Sequence, residues 1–132
     1  MKTVRKIFCC GCQADVDARL VTGAVTYPHR RDLAKLPFWK CDGCGNFVGC
    51  HHKTSERTRP LGVIPTQELK AARQEIHRII DPIWKSGRVP RAKLYGMIAH
   101  VIGVKEYHTA DIRSIDEANN VLRVVKELQV AA

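Results

Sequence analysis

Polar and apolar residues alternate along "ADVDARLV", residues 14–21. Val16, Ala18 and Leu20 fall on one side, and Asp15, Asp17 and Arg19 on the other. A period of two predicts a half-buried β-strand. "PFWKC" (37–41) and "NFVGC" (46–50) are rich in aromatic and β-branched residues, so both suit strands as well. Between the first strand and these two lies a turn-rich connection, residues 22–36, with a basic middle.

Beyond about residue 60 the period changes. Leu69, Ala72, Ile76, Ile79 and Ile83 recur at steps of three or four, which places them on one face of a helix that opens at Thr66. Pro82 predicts a break or kink, and "DPIW" reads as a restart with Asp81 as cap and Pro82 in the first helical position. Gly87 ends that turn. A second helix is expected from about Pro90 to Ile102, with Leu94, Tyr95, Ile98 and Ile102 on its stripe and Gly103 as its stop. "SIDE", Ser114 to Glu117, fits a capping box for a third. Its apolar face is Ala118, Val121, Leu122, Val125 and Leu128. Three short amphipathic helices can bury such faces against each other or against the segment before them.

A chain of 132 residues suits one compact domain, or a small domain with a helical appendage. No apolar run is long enough for a membrane helix, and "MKTVRKIFCCGC" lacks the apolar core of a signal peptide. The expected location is the cytosol, where close cysteine pairs are more often metal ligands than disulfides. The formal charge of +9 is unevenly spread. Residues 1–60 hold 11 basic and 5 acidic side chains, residues 61–104 hold 7 and 3, and residues 105–132 hold 4 and 5. Four thiolates around one zinc would subtract about two charges, which leaves the chain cationic. A field of that sign favours polyanions, nucleic acid first and an acidic protein second. The bland alternative is charge that serves only dispersion.

All six cysteines precede residue 60. Cys9 and Cys12 enclose two residues, and so do Cys41 and Cys44. A C-x-x-C turn aims two sulfurs at one metal, and Gly11, Gly43 and Gly45 are expected to supply positive-φ positions in these turns. Two such knuckles make a tetrahedron of four thiolates, the usual closed zinc site. The 28 residues between Cys12 and Cys41 leave room for a strand, a loop and a returning strand. A redox-active C-x-x-C is the competing reading, but it usually occurs once, on a βαβ pattern. Buried structural thiols are another, and spacing alone leaves iron open in the same cage. "CDGCGNFVGCHH" (41–52) also carries Cys50, His51 and His52. Cys50 reads as a small buried residue. A second metal site from Cys50, His51, His52 and His29 is a further option.

Taken together, "CCGC", "YPHRRDL", "PFWKCDGCGNFVGCHH", "PLG" and "DPIWKSGRVPRAKLYGMIA" resemble a zinc-finger-containing family of unknown function found in bacteriophages and prophages. The resemblance covers roughly residues 9–128. It implies a zinc module, a helical tail and a phage or prophage origin, hence the cytoplasm of a bacterial host. It implies no activity. Cys10 inside the first knuckle and the doubled His51-His52 depart from the family pattern.

Three functions compete. The first is nucleic-acid binding, to DNA or RNA, by a zinc ribbon. The long connection and the segment leaving the last strand could lie on one side of the metal, with Arg30, Arg31, Lys40, Lys53, Arg57 and Arg59 on phosphates. "WKSGRVPRAK" adds Lys85, Arg88, Arg91 and Lys93 at a helix start, which also favours phosphate. Trp39 and Trp84 are read as core residues before stacking platforms. The second is a module that docks on a host protein through Tyr95, Ile98 and Ile102. The third is a metal-dependent nuclease of HNH-like type, for which His29, Asp32, Asn46, His51 and His52 are the candidates. They do not match the order of such a motif.

The expected protein is therefore of α+β class. A three-stranded zinc ribbon spans residues 5–56, and a three-helix tail over 64–130 packs on it. Cys9, Cys12, Cys41 and Cys44 hold Zn2+. The expected role is nucleic-acid binding or regulation without catalysis, with no small-molecule substrate and no membrane partner.

Overall fold

The computed structural model describes residues 3–131. The chain divides into two compact units, with the boundary between Gln67 and Glu68.

The first unit is built on a four-stranded antiparallel sheet in which spatial and chain order agree. Its strands are β1 (Val4–Cys9), β2 (Ala14–Thr22), β3 (Pro37–Lys40) and β4 (Phe47–Gly49). The expected count of three strands is corrected to four. The extra one is β1, "VRKIFC", whose charged first half hides the alternation that its buried Ile7 and Cys9 carry. Register makes the pattern plain. Ile7 lies opposite Val16, Leu20 opposite Trp39, and Trp39 opposite Val48. With Ala18, Cys41, Cys50 and Ile64 these residues form one continuous core on one face. Phe38 and Phe47 alternate onto the other face, where Tyr27 meets both edge-on, with ring centres 5.6 and 5.2 Å away.

The basic connection is folded back to bring Tyr27 there. A short helix, α1 (Gly23–Thr26), leads to a 3₁₀ turn at Arg31–Leu33. Gly23 donates its N–H to the Leu36 carbonyl at 3.0 Å, and a Cβ at Gly23 would overlap the Leu33 carbonyl oxygen. After β4 the chain makes a second excursion and returns. His51 donates to the Arg59 carbonyl and Leu61 to the Gly49 carbonyl, both at 2.9 Å. Ile64 is then stitched to β1: its N–H donates to Phe8 and its carbonyl accepts from Cys10. Residues beyond 56 therefore complete this unit's core.

In the second unit the main helices are α2 (Gln67–Lys85), α3 (Arg91–Ile102) and α4 (Ile115–Ala131). Of the expected break or kink at Pro82, the break and the restart at Asp81 are corrected, because α2 runs through Pro82 as one helix. Proline removes one ladder bond. The buried stripe, however, continues on both sides of it as Ile76, Ile79, Ile80 and Ile83, and each such side chain contributes about 1.5–3 kcal/mol by leaving water. Asp81 is not a cap. Its carboxylate accepts from the Trp84 indole N–H at 3.1 Å and lies 3.3 Å from His77 Nδ1. Gly87, at φ 80°, follows the end of α2, and Gly103, at φ 78°, closes α3 in the left-handed region.

Ser114 Oγ accepts the Glu117 N–H at 3.2 Å, one half of the capping box. The Glu117 carboxylate reaches the Arg113 N–H rather than that of Ser114. Arg73 interrupts the apolar stripe of α2. It is buried, and its guanidinium donates to the Ile112 carbonyl at 2.6 Å, which ties α2 to the segment before α4. Ile98 is fully buried, so the docking stripe expected on α3 is partly core.

Gly23→Ala should destabilise the first unit by about 2 kcal/mol or more, since a backbone carbonyl cannot move aside as a side chain can. Denaturant unfolding followed by Trp39 fluorescence, which reports the first unit's core, would measure it. An unchanged midpoint would contradict the close approach to Leu33.

Candidate metal centre

In an antiparallel sheet ordered along the chain, β1 and β3 run in the same direction. The tight turns that follow them therefore lie at the same end. The β1–β2 turn begins at the Cys9–Ala14 pair, and the β3–β4 turn at the Lys40–Phe47 pair. Cys9 and Cys12 belong to the first turn, Cys41 and Cys44 to the second. Strand direction alone thus brings together two knuckles far apart in sequence.

The sulfurs converge accordingly. Cys9 Sγ lies 3.4 Å from Cys44 Sγ, and Cys12 Sγ lies 3.7 Å from Cys41 Sγ. All four lie within 4.8 Å of one another. A tetrahedron with metal–sulfur bonds of about 2.3 Å needs sulfurs about 3.8 Å apart. A disulfide would need about 2.05 Å, and all six cysteines are free. Cys9 and Cys41 are buried while Cys12 and Cys44 are exposed, so the group sits at the rim of the core. Four soft thiolates in this arrangement could hold a tetrahedral metal ion such as zinc.

The backbone prepares each knuckle in the same way. The N–H groups of Gly11 and Cys12 face the Cys9 sulfur, and those of Gly43 and Cys44 face the Cys41 sulfur. Burial nonetheless pushes the Cys9 thiol up to about 12. The Cys12 thiol is also raised, chiefly by its contact with Cys41. Burial acts to raise Cys41 too, but the N–H groups and the neighbouring thiols Cys44 and Cys12 outweigh it and hold it below its ordinary value. A metal ion would have to displace protons from the raised thiols as it binds.

The glycines play other parts than expected. Of the three named in the turns, only Gly45 has positive φ, at 80°. In the first knuckle the equivalent position, one past the second cysteine, is Gln13 at φ 52°. Its side chain donates to the Cys10 carbonyl at 2.7 Å and holds the turn. At Gly11 the glycine leaves room for the Asn46 amide, because a Cβ there would lie 2.6 Å from Asn46 Nδ2 and 3.3 Å from Cys44 Sγ and that side chain would have to shift.

Sequence reasoning missed Asn46 as a partner of the cysteines. Its side-chain amide donates to Cys44 Sγ at 3.2 Å. The available signal was its place just after the second knuckle. Sequence reasoning also missed Arg19, which binds both carboxylate oxygens of Asp42 at 3.0 Å. Asp42 sits inside the second knuckle, so this pair braces the turn against β2. A separation of 23 residues left no signal for it.

The leftover ligands lie elsewhere. Cys50 belongs to the core, and burial raises its thiol to about 11. His52 Nδ1 approaches the Cys50 carbonyl at 3.3 Å. Among the described residues, the four knuckle cysteines are the only group of three or more His, Cys, Asp or Glu side chains close enough to share an ion. The second metal site from Cys50, His51, His52 and His29 is not assembled. Of the nuclease candidates, Asp32 is taken up by Arg30 and Asn46 by Cys44.

The six expected phosphate contacts are dispersed. Lys40 is at the knuckle end, 3.6 Å from Asp42. Arg30 forms a two-pronged bond with Asp32, which holds that carboxyl below the usual carboxylate range, and Arg59 pairs with Glu56 at 3.1 Å. Arg31 and Lys53 are exposed, with no side-chain partner among the described residues. Arg57 meets backbone carbonyls: Nη1 donates to that of His52 at 3.4 Å and Nη2 to that of Lys35 at 3.3 Å.

Cys41→Ser should abolish metal retention and unfold the ribbon while the second unit keeps its helices. Metal content together with circular dichroism would show it, and wild-type values in both would contradict the ligand set. Asn46→Ala should weaken metal affinity by about tenfold to a hundredfold without unfolding the sheet. Competition against a chelator would read that change, and equal affinity would make the Asn46 bond incidental.

No curated protein and no solved structure matches the chain. A family model described as a zinc-finger-containing domain matches residues 5–128, from β1 into the last turns of α4, and so takes in both knuckles. On that match the chain belongs to the zinc-finger-containing domain family.

Proposed function

We propose that the first unit is a zinc-stabilised module that binds nucleic acid through the end of its sheet opposite the metal, in a regulatory role and without catalysis. The observation that carries this reading is a groove of about 500 Å3 at that end. The connection before β3 supplies Lys35 to its wall, and the excursion after β4 supplies Arg57. The hydrogen bond from Arg57 to the Lys35 carbonyl holds the two basic segments side by side. Glu56, the one acid of the lining, is paired with Arg59. Zinc would fasten the knuckles at the far end and order the sheet on which both segments are mounted.

Trp39 takes no part in base stacking on this reading. It is buried, and its indole N–H donates to the Thr58 carbonyl at 2.6 Å. It positions the excursion that carries Arg57. The phosphate contacts are therefore Lys35 and Arg57, with Arg31 and Lys53 at hand, in place of the paired Arg30, Lys40 and Arg59.

Binding of the zinc-loaded protein to single-stranded DNA, duplex DNA and RNA should weaken steeply with salt. In a Lys35→Ala, Arg57→Ala variant the slope of log affinity against log salt should fall by about one for each phosphate that is no longer neutralised. Fluorescence anisotropy at several salt concentrations would measure both. No binding to any of the three at low salt would refute the reading and leave a protein partner as the target.

A further inference from the structure

The second unit has a groove of its own, also of about 500 Å3, between the first two turns of α3 and the segment that leads from α3 towards α4. Its chemistry is mixed in an uncommon way. Arg91 and Tyr95 line one side, and Lys105, Glu106, Tyr107 and His108 the other. The floor is made of Ala92, Gly96 and Ala99. A Cβ built on Gly96 would meet nothing within 4 Å, so the space above the floor is open.

The walls are ordered by stacking. The Arg91 guanidinium lies over both the Trp84 ring, at 5.6 Å, and the Tyr95 ring, at 4.7 Å. Tyr95 meets Tyr107 edge-on, with centres 5.5 Å apart. Tyr107 is anchored below by its hydroxyl, 2.8 Å from Thr109 Oγ1. A cation held between two aromatic rings is restrained before any ligand arrives. Arg91 also opens α3, a helix with no side-chain cap and no acid in its first turn. Its first free N–H groups therefore add to the local preference for an anion. Lys105 and His108 stand across the groove, and Glu106, 3.8 Å from His108, is the one carboxylate of the lining.

A phosphate would be served by the cations alone. The half-buried Tyr95 side chain and the open floor at Gly96 suit a planar ring in addition. We propose that this groove takes one unpaired nucleotide of a single strand, with its base over the floor at Gly96 against the Tyr95 side chain and its phosphate at Arg91 and Lys105. Glu106 can accept a hydrogen bond from an exocyclic amine of the base. The proposal rests on the nucleic-acid reading and adds to it a second contact that selects single strands over duplexes. It also gives a role to Arg91, one of the four cations of "WKSGRVPRAK".

Gly96→Leu tests it cleanly. Leucine would fill the groove from the floor, in a position where the fold has room and where a helix favours it over glycine. The isotope-labelled, zinc-loaded full chain would be titrated with a short oligodeoxyadenylate, the same sequence as a duplex, a mononucleotide and inorganic phosphate, following amide shifts at residue 96 and around Tyr107. The single strand is expected to shift these amides, and the duplex and phosphate are not. Gly96→Leu should remove the shifts and cost about tenfold or more in strand affinity, with the melting temperature unchanged or raised. Shifts that persist in Gly96→Leu, or that phosphate alone reproduces, would overturn the proposal. Equally tight binding of the mononucleotide would overturn the assignment to a strand. Strand binding that survives Gly96→Leu but falls in Lys35→Ala, Arg57→Ala would reject the groove and keep the first unit's role. Shifts at residue 96 that remain in that double variant would support the groove by itself.

Discussion

The direction of strands β1 and β3 is the constraint on which the first unit rests. Because both run the same way in an antiparallel sheet, the turns after them share one end, and four thiols meet there within 4.8 Å. The rest of the unit is arranged around that meeting. The long connection and the excursion after β4 fall at the opposite end, so the loops carrying charge are kept away from the turns carrying sulfur. A four-residue strand and a three-residue strand make a modest sheet on their own. A metal ion across the two knuckles would cross-link β1–β2 to β3–β4 at the end where the β2–β3 ladder stops at Arg19 and Lys40, adding to the Arg19–Asp42 pair.

Charge is organised by local pairing rather than by total. The chain carries +9, yet Arg30, Lys40 and Arg59 each have a carboxylate in reach. Exposed pairs of this kind add little stability, but they lower the positive potential that a phosphate would meet. Arg57 differs because its partners are carbonyl groups, which leave its charge uncompensated. That difference moves the expected contact surface from the middle of the basic connection to the groove where Lys35 and Arg57 meet. In the second unit Arg91 is set apart in the same manner, by aromatic rings instead of acids.

The helical unit shows how burial overrides a local rule. Pro82 costs α2 a hydrogen bond, but the isoleucines on either side of it share one buried stripe, and a break would expose part of it. Arg73 shows the converse. A cation on an apolar stripe is costly unless its N–H groups find acceptors, and the Ile112 carbonyl is one of them. Polar chemistry is thereby used inside the unit to locate the segment between α3 and α4, the segment that carries Lys105 and Tyr107.

Much of this was legible in the residues alone. The two-residue period of β2, the aromatic strands around the second knuckle, the start and stop of α3, the start of α4, and the pairing of Cys9, Cys12, Cys41 and Cys44 follow from local spacing. They can be read because each depends on neighbours within a few positions. What only the tertiary structure decided involves partners far apart in sequence. β1 became a strand because β2 was there to pair with it. Asn46, Arg19 and Gln13 acquired roles because a sulfur, a carboxylate or a carbonyl was brought to them. The cations were sorted into paired and available by which loops lie side by side. Spacing along a chain reports periodicity and turn chemistry, whereas the partner of a side chain across a sheet or groove is chosen by the packing of the whole unit.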